Sequence, residues 1–376
     1  MSPDYRFLVL TTWPKGGTGN VGDKLITESA KDFLQHELGE IEFEQIFRGK
    51  DLTDRLDYVN SFDTVLLPGF AVREPISSTY AIAEVFDKVS VPAVPLGSGW
   101  KSYPGDRLDA EMTEYNSDTK DFLSKVSSGV SLLSTRDYMT DRAFRENGVA
   151  NTVMTGDCAW YDTDYLGEPM HRPKSIDSVV LTTPHSGHYE SQAIDVADML
   201  FEVFPSADVT CTLHSKPTSH EQRIADHCQR RGGKVVNAAN NISAIDFYKE
   251  SDLHVGYRVH GHVAHLRKRR PSILISEDGR GVGFSNSLGH TCFQAFSRRV
   301  AHGAFSSNSA FYRVSSLFDK HLETHNKNLV SNLRHYIDEE YRSDFRRIST
   351  IAPIIDETYE KIQDVIRNEI PAKRTI

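Results

Sequence analysis

Short apolar runs alternate with helical patterns along the whole chain. The runs predict strands at Phe7–Thr12, Thr64–Leu67, Ala93–Gly97, Val130–Ser134, Thr152–Thr155, Ser178–Thr183, Asp208–Leu213, Lys234–Val236, Leu253–Gly256 and Ser272–Ser276. Several are dense in valine and leucine instead of alternating, the pattern of strands covered on both faces. Strands spaced by helices imply parallel sheets built from βα units. The pattern breaks at Tyr161–Ser175, where turn formers and prolines replace any periodicity. The expected architecture is therefore α/β, with two similar domains, 1–165 and 175–345, facing one another across a cleft. A last stripe, Ile351, Ile355, Tyr359, Ile362 and Ile366, predicts an amphipathic helix from Ile354 to Asn368. No strand follows it, so this 350–370 segment is expected to pack on or across the domains.

Composition narrows the function classes. A chain of 376 residues suits two domains. Its formal net charge of −9 gives no basis for binding nucleic acid or an anionic membrane. The run Arg267-Lys268-Arg269-Arg270 is read as a solvated helix end. No apolar run approaches the ~18 residues of a membrane helix, so no integral membrane segment is expected. The four cysteines are scattered without metal-ligand spacing and are expected to be free thiols in a reducing compartment.

The candidate chemistry lies at strand ends, where parallel sheets bind ligands. Gly16-Gly17-Thr18-Gly19-Asn20-Val21-Gly22-Asp23 follows the first strand and precedes a helix from about Lys24 to Leu38; the strand after it carries Glu42 and Glu44. Gly17, Gly19 and Gly22 match a dinucleotide spacing, but residues 13–16 separate them from the strand and Asp23 brings negative charge. A ligand-facing loop is the leading reading, with a purely conformational role and NAD binding as the others. Arg136 and Asp137 follow a buried strand: the guanidinium suits an anion, while Asp137 suits a helix cap or a partner for Arg136. Arg258 and His260 follow Leu253–Gly256 with strand parity, before a helix expected near Gly261. Asp278 and Arg280 close the next strand. An imidazole beside a bound anion would keep its proton and act as a general acid. Asp278 could orient it or hold Arg280.

In this order, Gly19-Asn20-Val21-Gly22-Asp23, Asp63 to Gly69, Ser134-Thr135-Arg136-Asp137, Arg258-Val259-His260-Gly261 with Pro271, and Asp278-Gly279-Arg280 before Leu288-Gly289 resemble the polysaccharide pyruvyl transferase family. The resemblance implies two Rossmann-like domains in a GT-B-like arrangement, with a C-terminal helix that can cross back. It implies a cytoplasmic transferase, at most peripheral to a membrane through its acceptor. Such an enzyme moves the pyruvyl unit of phosphoenolpyruvate onto two hydroxyls of a saccharide or lipid-linked glycan, forming a cyclic ketal and releasing phosphate. The co-substrate phosphoenolpyruvate would need no metal or other cofactor. On this reading His260, Arg258 and Asp278 are catalytic, with His260 the acid. Arg258 and Arg280 bind the donor anion on the second domain's side, Arg136 is a further donor-anion residue, and Asn20 and Asp23 bind the acceptor on the first domain's side. The same cleft also suits a GT-B glycosyltransferase using a nucleotide sugar, or a glycan-binding relative without turnover.

Overall fold

The computed structural model describes residues 5–13, 19–102, 105, 107–289, 291–297 and 324–370. The Gly16–Thr18 part of the glycine-rich loop lies outside these residues. In the first lobe, β1 (Tyr5–Thr11) leads to α1 (Val21–Leu38) and β2 (Ile41–Phe47), followed by β3 (Thr64–Pro68) and β4 (Ala93–Leu96). These strands form a parallel sheet in the order β2-β1-β3-β4. A bridge from Ser98 to Thr135 carries it on to β5 (Leu133–Thr135) and β6 (Thr152–Met154), which pair with each other in parallel.

The second lobe runs β7 (Ser178–Thr182), β8 (Asp208–Leu213), β9 (Lys234–Asn237), β10 (Leu253–Gly256), β11 (Ser272–Ser276) and β12 (Cys292–Gln294). Its parallel order, β9-β8-β7-β10-β11-β12, reverses direction between β7 and β10. A crevice opens at such a switch point because the connections leave to opposite faces of the sheet. Val179, Leu181, Val255 and Ile275 are almost fully buried, as their unalternating pattern requires. Burying each side chain of this size contributes roughly 1.5–3 kcal/mol. The strand Cys292–Gln294 was not predicted; three residues are too short to show a period. The chain thus has the expected α/β architecture of two sheet-containing lobes in a GT-B-like arrangement.

The final helix spans Ile351–Glu369. It starts earlier than predicted because Pro353 falls in the first turn, where its missing N–H would have had no partner. All five residues of its stripe are buried. The helix crosses back to the first lobe: Glu369 accepts hydrogen bonds from the backbone N–H groups of Ser131 (3.0 Å) and Leu132 (2.9 Å), and Tyr359 and Gln363 donate to Glu37. Among the described residues no helix is long and apolar enough to cross a membrane.

The basic run corrects an expectation. Arg269 is only 3% exposed, and its guanidinium bonds the Tyr165 carbonyl and pairs with Asp356 of the final helix. Arg267 reaches Ser29 and Asp162, and Lys268 also pairs with Asp162. The run is a joint between second lobe, linker and final helix, because carboxylates distant in sequence come to meet it.

Candidate functional site

The switch-point crevice is built from the ends of β7, β10 and β11. Helix α6 (Val259–Leu266) follows β10, after α2 (Ser117–Ser128), α3 (Tyr138–Glu146), α4 (Glu190–Val203) and α5 (Ser219–Arg230) in the chain. The strand ends at Gly256, so Arg258 is the N-cap of α6 and His260 stands in its first turn. This differs from the expected strand continuation. No side chain caps α6, which leaves its first N–H groups without a capping partner at the positive end of the helix dipole.

Arg258 is nearly buried. Its Nη2 pairs with Glu221, its Nη1 donates to His185 Nδ1 at 3.3 Å, and its Nε has no partner. Its backbone N–H donates to Thr182 Oγ1 at 3.1 Å, fixing it at the β7 edge. Burial would raise the Glu221 carboxyl, but Arg258 and the Thr218 hydrogen bonds outweigh it and lower its pKa. Glu277 accepts hydrogen bonds from the backbone N–H groups of His185 (2.8 Å) and Ser186 (2.9 Å). Burial pushes its pKa up to about 7 despite those bonds.

Asp278 caps α7 (Gly279–Leu288), accepting from the Arg280 backbone at 3.1 Å, and holds the Arg280 guanidinium through both oxygens. Burial alone would raise Asp278, but Arg280 and then Lys101 hold it well below the usual carboxylate range. It is therefore the partner of Arg280, one of the two roles read from the sequence. The start of α7 is closed to an anion, because Gly279 N–H donates to the Ser102 carbonyl of the first lobe at 3.0 Å.

His260 lies between the lobes. A Cβ on Gly22 would collide with its ring, so only glycine permits this approach. Gly19, at φ +70°, packs on Asn240 and accepts a hydrogen bond from its backbone N–H at 2.9 Å. On the other side of His260, its Nε2 stands 3.9 Å from Asp157 Oδ2; both atoms are buried without a hydrogen-bond partner. Burial pushes His260 down to about 3, Arg280 and Arg136 add to the effect, and Asp278 opposes it. Burial raises Asp157. Burial and the neighbouring arginines thus favour the neutral imidazole.

The remaining predicted residues divide between the lobes. Arg136 is nine-tenths buried, donating to Asp137 at 3.0 Å and to the Trp100 carbonyl at 3.0 Å, over the Phe284 ring of the second lobe. Its neighbour Asp137 caps Tyr138–Glu146. Arg136 thus reaches His260 through its charge and not by contact. Asn20 caps α1, accepting from Gly22 N–H at 3.0 Å. Asp23 lies within electrostatic reach of Arg280. Lys101, 3.5 Å from Asp278, was missed, as were Glu221, Glu277 and Asp157. Gly156-Asp157 directly after a strand carried the same signal as the residues that were found; Glu221 reads in sequence only as a capping box with Thr218.

The sequence profile of the family described as polysaccharide pyruvyl transferase matches residues 20–279. No curated protein matches the chain significantly. Among solved structures, the S. aureus MnaA–UDP complex is 12% identical, with 96% of each chain covered and a TM-score of 0.54. A putative UDP-N-acetylglucosamine 2-epimerase from Listeria monocytogenes is 10% identical over 99% of this chain and 98% of that one, at 0.56. Anabaena HepE with UDP and glucose is 11% identical over 96% and 99%, at 0.52. These likenesses establish the fold. They also correct the expected reaction and partner: the fold is shared with proteins named for UDP and UDP-sugars, not for phosphoenolpyruvate.

Proposed function

The chain belongs to the polysaccharide pyruvyl transferase family, and from that premise we propose that it transfers a glycosyl unit from a nucleotide sugar to an acceptor hydroxyl. The observation that carries this reading is the uncapped start of α6 beside Arg258, at the switch point of the second-lobe sheet. Free backbone N–H groups and a guanidinium with an unpartnered Nε suit a diphosphate. Arg280 adds positive charge. The UDP-bearing proteins of this fold support the choice of a nucleotide as the group the diphosphate carries.

Chemistry follows from charge. A bound diphosphate offsets Arg280 and Arg258, two of the charges that depress His260, and raises the imidazole toward its ordinary range. His260 then takes the proton of the acceptor hydroxyl as its oxygen bonds the anomeric carbon. The anomeric C–O bond breaks, and its electron pair leaves with the nucleoside diphosphate. Asp157, 3.9 Å from Nε2, stabilises the imidazolium that forms. Asp278 positions Arg280, and Asn20 and Asp23 shape the first-lobe edge. We place this chemistry in the cytoplasm, in keeping with four free thiols.

The test is incubation with a panel of UDP-, CDP-, GDP- and ADP-sugars plus saccharide acceptors, scored by chromatography for released nucleotide and extended glycan. The reading expects both products from one donor and at least a hundredfold loss in His260→Ala with folding retained. Phosphate release from phosphoenolpyruvate, with every nucleotide sugar intact, would overturn it.

A further inference from the structure

Across the crevice, the first lobe carries two cations that the glycosyl-transfer reading leaves unexplained. The short strands Ala71–Val72 and Gly99–Trp100 pair in parallel, with Ala71 opposite Gly99 and Val72 opposite Trp100. Arg73 and Lys101 are the next residues of each strand, so the register sets two positive charges side by side. Like charges so placed repel, and an anion between them relieves that repulsion.

Their existing partners do not meet that need. Among the described residues, the Arg73 guanidinium makes no hydrogen bond or ion pair, and Arg48, Arg280 and Asp23 are its charged neighbours. Lys101 has one ion pair, with an Asp278 already held through both oxygens by Arg280. Burial lowers the Lys101 pKa, and Arg280 lowers it further.

A cavity of about 500 Å³ opens in front of the pair, walled by Val72, Trp100, Thr113 and Tyr115. Its volume suits one sugar residue, and its ring-bearing wall suits a pyranose face. The carboxylates on its rim are engaged: Glu74 accepts from the Asn116 backbone, and Glu114 pairs with Lys120 at 3.5 Å. Tyr115 is 6% exposed, yet its hydroxyl has no hydrogen-bond partner.

Resting on the glycosyl-transfer reading, we propose that Arg73 and Lys101 form an anion seat for a phosphate or carboxylate carried by the acceptor, which is therefore an anionic saccharide. The diphosphate of the donor is the other source of such an anion. The two are separated by place: the cavity lies wholly in the first lobe, while the open helix start lies in the second.

The test titrates full-length protein with glucose, glucose 6-phosphate and glucuronate, each with and without saturating UDP, by calorimetry. The two charged sugars are expected to bind at least tenfold more tightly than glucose. An Arg73→Gln/Lys101→Gln variant, its folding checked by thermal unfolding, should lose that preference while UDP affinity shifts less than threefold. Equal binding of charged and neutral sugars would overturn the seat. A variant that weakens UDP and keeps the sugar preference would assign the cations to the donor and overturn it as well. Absence of UDP binding with the sugar preference intact would instead count against the nucleotide-sugar reading alone.

Discussion

Helix α6 has arginine at both ends, and the two ends use it differently. At the start, Arg258 finds Glu221 and His185 within its own lobe. At the far end, Arg267, Lys268 and Arg269 find Ser29, Asp162, Tyr165 and Asp356, all from other parts of the chain. Both ends contain partly unsatisfied guanidinium nitrogens, so incomplete pairing alone does not distinguish a site from a joint. The origin of the partners does. A cation held by its own lobe shapes the crevice wall, whereas a cation shared between segments fixes how they sit.

The largest effect expected from this helix is on acid stability, because its imidazoles occupy both ends. His260, His262 and His265 are all buried, and burial pushes each down to about 3. The unfolded chain protonates these histidines near their ordinary pKa of about 6.5, while the folded chain keeps them neutral until about 3. Their stabilising contribution is thus complete above about pH 6.5 and is lost as pH falls toward 3. By about pH 5 the loss reaches about 2 kcal/mol for each histidine. Denaturant unfolding across a pH series measures it, and a flat profile from pH 7 to 5 would show that these rings are not buried neutral.

Next in size is the joint. Arg269→Met removes the partner of Asp356 and the bond to the Tyr165 carbonyl, and should cost about 3 kcal/mol in denaturant unfolding. Unchanged stability would erase the contrast between the two ends. Arg258→Lys keeps the charge but loses the planar fork, and should weaken UDP binding at least tenfold, or about 1.4 kcal/mol. Arg267→Lys is the matched control at the far end: UDP affinity should stay within twofold, with about 1 kcal/mol of stability lost. Equal losses of UDP affinity in both lysine variants would mean that the ends do not differ in function.

What the sequence made legible was local. Valine- and leucine-dense runs with glycine stops located most of the strands, and the isoleucine stripe located the final helix. Strand-end logic also led to Arg258, His260, Asp278 and Arg280, and the structure sets these around one crevice. Long-range partners escaped it. Nothing local to Arg269 announces Asp356, 87 residues away, so a charged run read as solvated although Arg269 is buried and its neighbours are half-buried. Lys101 and Arg73 escaped because their strands are only two residues each. The pKa of His260 has no local signal either: burial and arginines from both lobes set it, and no spacing in the chain reveals them.

The most direct measurement of the central claim is calorimetric titration of the full-length protein with UDP, CDP, GDP, ADP and phosphoenolpyruvate under one buffer and salt condition. The account predicts that at least one nucleoside diphosphate binds tenfold or more tightly than phosphoenolpyruvate. Binding of phosphoenolpyruvate with none of the four nucleotides bound would contradict it.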